Sequence, residues 1–272
     1  MKAKTIISYL SSIKSFHGLL QQNFSAFSSP RVKAALKGLE NLELYKSAAS
    51  RARKVMTLPI LKLIGHEIKK SSWSTNSKRV LWTACTVAVY SSCRMGELLP
   101  KKESLFGPED TLLWKDVRVL ERTHVLIHIK TSKNNNKGGD FIDLFPTNTS
   151  TCPVSALIGL RDSLDTFDKH SPVFSFSSGK NLTPKEFNST ISCLLSSHLR
   201  DDSSNISGHS FRAAIPSALA RFPELASSDE IMGWGRWRSD AFLSYTRLKV
   251  DQKRKIFSKI LTVLSSQACP RS

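Results

Sequence analysis

Acid is what this chain is short of. Its 272 residues carry 22 aspartates and glutamates against 40 lysines and arginines, a formal charge of +18 at pH 7 with a sequence pI near 9.9. So large a basic excess calls for a polyanionic partner, nucleic acid ahead of a membrane surface, since no Lys-rich amphipathic anchor stands out. Paired cysteine is missing too. The five thiols, Cys85, Cys93, Cys152, Cys193 and Cys269, are odd in number and contain no Cys-x-x-Cys, which argues against a disulfide framework and for a reducing, intracellular compartment. Metal-ligand sets are absent: His124 and His128 lie four apart in a strand-like run, on one face but without a third ligand, so no metal is expected. No apolar run reaches transmembrane length, and the N-terminus lacks the charged-then-apolar pattern of a signal peptide. Gly208-His209-Ser210 begins like a hydrolase elbow, but Arg212 stands where the tight turn needs glycine.

What is present is concentrated near the C-terminal end. Gly208-His209-Ser210-Phe211-Arg212 is followed by Gly235-Arg236-Trp237-Arg238-Ser239-Asp240-Ala241-Phe242-Leu243-Ser244-Tyr245. This inventory of imidazole, guanidinium, indole and phenol, with no carboxylate pair, suits an anionic phosphate. If residues 209 to 220 start a helix, His209 and Arg212 share a face near an N-terminus that itself favours anions. Arg212 would offer a planar fork to two phosphate oxygens, and His209 would donate to an oxygen or take a proton. Tyr245 follows Arg212 by 33 residues. A phenol, with a pKa of about 10, is a weak nucleophile at neutral pH; flanking arginines favour the phenolate and neutralise the phosphate it attacks.

His209-x-x-Arg212, Gly235-Arg236-Trp237 and Tyr245 resemble the C-terminal half of the tyrosine recombinase (phage integrase) family, and the wording of residues 235 to 245 is most similar to the crypton and DIRS-type recombinases of eukaryotic mobile elements. Two upstream motifs fit in the right order: Cys93-Arg94-Met95-Gly96-Glu97 as an Arg-x-x-Glu turn, and Ile127-His128-Ile129-Lys130-Thr131-Ser132-Lys133 as a hairpin bearing a lysine. The likeness spans roughly residues 57 to 266, and four separate motifs in order are specific. It implies Lys133 as the hairpin lysine over its rivals Lys130 and Lys137. Arg236 stands where many members have His or Trp, and whether it or the adjacent Trp237 faces the phosphate is open.

The expected fold is mainly α with a small antiparallel sheet (α+β). Residues 1–45 form a partial helical DNA-binding region, with helices over 5 to 24 and 30 to 39, the second opened by Ser29-Pro30. In the resembled family this corresponds to the last portion of a core-binding domain. Residues 46–56 are a basic linker whose Arg51, Arg53 and Lys54 lie along a phosphate backbone, and residues 57–272 are the catalytic domain. Within it, helices are expected from Thr57-Leu58-Pro59, over Ser77 to Tyr90, Pro153 to Leu164, Pro184 to Leu199 and Asp251 to Leu264, with strands at 113–117, 124–130 and 141–145.

By the resemblance, Tyr245 attacks a DNA phosphodiester to give a 3′-phosphotyrosyl link and a free 5′-hydroxyl, without ATP, metal or other cofactor. Arg94 and Arg212 clamp the non-bridging oxygens, Lys133 protonates the leaving oxygen, and His209 assists proton removal from Tyr245. Glu97 holds a backbone amide or a neighbouring cation. The implied partners are double-stranded DNA and further copies of the chain, four in strand exchange, with no membrane; the location is intracellular, nuclear in a eukaryotic host. Two other readings stand beside it: a type IB topoisomerase-like enzyme, which makes the same strand cleavage with rotation instead of exchange, and a domesticated DNA-binding protein that keeps the basic face and fold but does not cut.

Overall fold

The computed structural model describes residues 3–20, 29–47, 56–104, 106–120, 124–131, 138–199, 206–219, 225–236 and 250–266. The chain divides into two units, Met1–Ala52 and Arg53–Ser272, a division that falls inside the stretch expected to be linker.

The first unit holds α1 (Ala3–Leu19) and α2 (Pro30–Ser47). Ser29 accepts the Val32 amide at 3.3 Å, and Pro30 takes the first helical position, where its missing N–H costs nothing. The helix runs on past Leu39, the expected end, because no proline or glycine interrupts residues 39 to 47.

In the second unit α3 (Leu58–Lys70) starts under a Thr57 cap, with Pro59 in its first turn, and buries Leu58, Ile60, Leu61, Ile64 and Ile68. Helix α4 (Thr75–Ser91) is capped by Ser74, whose Oγ accepts the Ser77 amide at 3.1 Å. From Val80 on, nearly every residue of α4 is buried, so it is the central element, apolar all round because it is covered all round. It stops at Ser92, which adopts a left-handed conformation with φ 50°, and the chain turns into the short α5 (Met95–Leu98).

A three-stranded antiparallel sheet follows in the order β1 (Val117–Leu120), β2 (His124–Ile129), β3 (Asp140–Leu144), with Val117 opposite Ile127 and Ile127 opposite Ile142. Strand β1 begins four residues later than the sequence suggests. Trp114–Asp116 instead forms a 3₁₀ turn, because the Asp116 carboxylate accepts the Leu113 amide at 2.9 Å and so bends the chain. The β2–β3 connection returns through Gly138 and Gly139, both at positive φ; a Cβ on Gly139 would sit 2.4 Å from the Ile129 carbonyl oxygen, so no side chain fits there.

Helices α6 (Pro153–Arg161), α7 (Pro184–Leu199), α8 (Gly208–Arg212), α9 (Ala214–Leu219), α10 (Ser228–Gly235) and α11 (Val250–Ser266) complete the unit. The single helix expected over 209 to 220 is two. Pro216 has no N–H to give the Arg212 carbonyl and its ring crowds that oxygen, so the ladder breaks at Ala213. Helix α10 lies beyond the sequence expectations, although Ser227 and Glu230 form the capping box that announces it. The apolar stripe of α11 closes this chain's own core: Phe257 lies 5.6 Å from Tyr90, 5.8 Å from Phe145 and 6.1 Å from Trp234, ring centre to ring centre. No helix among the described residues is long and apolar enough to cross a membrane.

Ser92 combines a left-handed backbone with a fully buried hydroxyl that has no hydrogen-bond partner. Both features cost free energy in a residue with a Cβ, the first about 1–2 kcal/mol. Ser92→Gly is therefore expected to raise stability by about 1 kcal/mol and the melting temperature by about 2–4 °C, read by thermal denaturation; a lower melting temperature would refute strain at this turn.

Candidate functional site

The site is assembled from four separate stretches of chain around one carboxylate. Arg94 caps α5, and Glu97, three residues on, reaches back: its Oε2 accepts the Arg94 backbone N–H at 2.9 Å while its Oε1 accepts Arg94 Nη1 at 2.7 Å. Arg236, at the end of α10, donates Nη2 to Glu97 Oε2 at 2.7 Å and Nη1 to Asp140 Oδ2, at the start of β3, at 3.3 Å. Arg212, the last residue of α8, places Nη1 3.7 Å from the same Glu97 oxygen. It spends both its η nitrogens on backbone carbonyls, donating to Ser92 and Gly235 at 2.8 Å each. The left-handed turn at Ser92 accompanies one of these bonds and that at Arg236 follows directly on the other.

Exposure separates the three guanidiniums. The Arg94 side chain is 35% exposed, Arg236 14% and Arg212 4%, with Glu97 at 5%. Arg94 is thus the cation that the cluster presents to solvent, and Arg212 is embedded beneath it. Three guanidiniums against Glu97 and Asp140 leave one positive charge in excess, the sign that attracts phosphate.

The electrostatics follow from the packing. Burial alone would raise the Glu97 pKa, but Arg236 and the Arg94 amide and guanidinium override it and hold the carboxyl below its ordinary value of 4.5. Burial and the nearby Arg94 charge pull the Arg212 pKa down, opposed by Glu97. Burial also works against Arg236, yet its pKa is raised, by the adjacent Cys93 sulfur when that is ionised and by the carboxylates of Glu97 and Asp140. Cys93 itself, 3.4 Å from Arg236 Nη2, is fully buried, and burial pushes its thiol pKa up. It is a neutral packing group here and not a nucleophile.

His209 is exposed in the first turn of α8. That turn is set against α5 by Gly208, where a Cβ would come within 2.2 Å of Met95 Cγ, and it is tied to α7 by the Gly208 amide donating to Asn188 Oδ1 at 2.7 Å. The starts of α5 and α8, carrying Arg94 and His209, therefore adjoin. With only five residues, α8 has little macrodipole to offer, so the positive field comes from the guanidiniums and not from a helix end.

Of the residues singled out in the sequence, the structure brings Arg94, Glu97, Arg212 and Arg236 together, with His209 on the adjoining turn. Lys133, Trp237, Tyr245, Arg51, Arg53 and Lys54 lie outside the described residues. The rival Lys130 is engaged elsewhere, 2.7 Å from Asp116 Oδ2. Of the two tyrosines beyond residue 52, Tyr90 is fully buried, its hydroxyl 3.1 Å from Thr151 Oγ1, and burial pushes its pKa up to about 12. Sequence reasoning missed Asp140 and the Met95–Gly208 contact; neither carries a local signal, because each depends on which distant segments meet. Among the described residues no three His, Cys, Asp or Glu side chains gather into a metal-binding group. Comparison with models of known protein families and with curated proteins returns no match in either case.

Removing one partner from a buried ion cluster costs about 3–5 kcal/mol. Glu97→Gln is expected to destabilise the protein by about 3 kcal/mol in chemical denaturation. The pH dependence has a definite sign: because the folded-state pKa lies below 4.5, this stabilisation is complete above that value and fades as pH falls through the lower folded-state value. Wild type should lose that increment in acid, whereas the Gln variant should not; parallel acid limbs for the two proteins would refute the assignment.

Proposed function

We propose that this protein is a metal-independent DNA breaking-and-rejoining enzyme of the tyrosine recombinase type, acting on the DNA of a mobile element. The observation that carries the reading is the convergence of Arg94, Arg212 and Arg236, from segments as far as 142 residues apart, on Glu97 with a net positive charge. An overall charge of +18 suits a nucleic-acid partner.

In this mechanism Tyr245 Oη attacks the scissile phosphorus, forming a 3′-phosphotyrosyl bond as the bond from phosphorus to the 5′-oxygen breaks. The phenol proton passes to His209, and Lys133 protonates the departing 5′-oxygen. Arg94 neutralises the charge on the non-bridging oxygens, a contribution of about 3 kcal/mol by analogy with a single oxyanion-hole donor, while Arg212 holds the floor of the site. The engagement of Lys130 by Asp116 removes one rival of Lys133 for the acid, and the burial of Tyr90 leaves Tyr245 as the tyrosine for the attack in this part of the chain. The phosphotyrosyl bond retains the energy of the diester, so rejoining needs no ATP. Strand exchange requires further copies of the chain on DNA, and a nuclear location goes with a eukaryotic host.

One feature favours a second reading: Arg212, whose two η nitrogens are both taken by carbonyls, is used as a structural strut, which a DNA-binding protein that no longer cuts would also retain. A nicked suicide duplex that traps the adduct separates the two. Wild type is expected to form a covalent protein–DNA species on a denaturing gel, and Tyr245→Phe to form none while binding DNA within about twofold of wild type. An adduct with the Phe variant removes Tyr245 as nucleophile, and a wild type that binds without any adduct selects the second reading.

A further inference from the structure

We infer that Asp140 is a positioning residue for Arg94, acting through a relay of ion pairs across the site, an inference that rests on Arg94 being a phosphate-binding cation. Asp140 begins β3 and its Oδ2 holds Arg236 Nη1; Arg236 Nη2 holds Glu97 Oε2; Glu97 Oε1 holds Arg94 Nη1. Each link fixes the next. A guanidinium fork that bridges two carboxylates in different segments has one orientation, so Asp140 determines where Arg236 sits. Arg236 in turn immobilises the Glu97 oxygen that also accepts the Arg94 amide. The remaining Glu97 oxygen then holds one corner of the Arg94 fork, and no other donor of that fork is engaged by a described residue. The relay thus leaves a partly exposed guanidinium held at one corner, with its other donors free to face solvent.

The residues of the relay are distributed so that it reports on the assembly of the unit. Asp140 enters from the sheet, Arg236 from the end of α10, and Glu97 with Arg94 from the turn after α4. The Asp140 side chain is 21% exposed and bonds to Arg236, not to Arg94, so any effect of Asp140 on Arg94 passes through the relay.

The sign of the expected effect distinguishes this role from bulk electrostatics. Asp140→Asn removes a negative charge from a protein that binds a polyanion, so a bystander Asp140 would give unchanged or tighter DNA binding. The relay predicts the opposite. On a plain duplex, with affinity measured as a function of salt, Arg94→Ala is expected to lower the slope of log K against log[salt] by about 0.9, the value for one lost phosphate contact. Asp140→Asn is expected to lower it in the same direction, Asp140→Glu to restore it, and Asp140→Asn with Arg94→Ala to fall no further than Arg94→Ala alone. Melting curves for each variant identify any loss of fold. Where Asp140→Asn lowers the folded population, Arg236→Lys interrogates the relay from its middle, since lysine keeps the charge but cannot bridge two carboxylates. An unchanged or increased slope for folded Asp140→Asn, additivity with Arg94→Ala, or an Arg94→Ala slope equal to wild type each overturns the inference. None of these readings requires strand cleavage, so a protein that fails to form a covalent adduct yet shows this pattern retains the relay while losing the proposed activity.

Discussion

One buried carboxylate holds the second unit's arginine cluster together. Glu97 satisfies the amide of its own turn and two guanidiniums directly, with a third 3.7 Å away. Gathering three arginines without it would leave mutually repelling charges partly out of water, a cost of several kcal/mol per ion. With it, the same arginines become the means by which the turn after α4, the sheet, α8 and α10 are locked into register. Desolvation and attraction are both large here. The balance tips toward order because the η nitrogens of the two more deeply set forks have defined acceptors, Ser92 and Gly235 carbonyls for Arg212 and two carboxylates for Arg236, although Arg236 Nε is buried without a partner.

The three cations consequently divide their labour. Arg212 is so well bonded to the backbone that it serves as part of the frame, Arg236 is the brace between two acids, and Arg94 alone of the three retains substantial contact with solvent. Equivalent residue types in the sequence thus become unequal in the fold, and the difference is set by depth and by which acceptors lie nearby. The absence of a side chain at Gly208 lets the start of α8, which carries His209, pack against Met95 of α5, the residue after the accessible cation.

Much of this was legible from residues alone, and the remainder was hidden for identifiable reasons. The three-residue spacing of Arg94 and Glu97 is a local property, and their pairing follows from it. Helix α4 is announced by its apolar run, α11 by its stripe, and the sheet by alternation in 124–129 and 141–145. The shifted start of β1 and the break between α8 and α9 turn on single residues, Asp116 and Pro216, that override the pattern around them. Asp140 is different in kind: nothing beside it in the chain marks it, because its meaning arises only when α10 is laid across the first residue of β3.

The staple made by Arg212 spans 120 residues to Ser92 and 23 to Gly235. A nascent chain emerging from the ribosome can therefore fold α3 and α4 early, but it holds no assembled guanidinium cluster until residue 236 has left the exit tunnel. The cluster therefore closes late in synthesis, and a truncated translation product carries the basic charge without the organised guanidiniums.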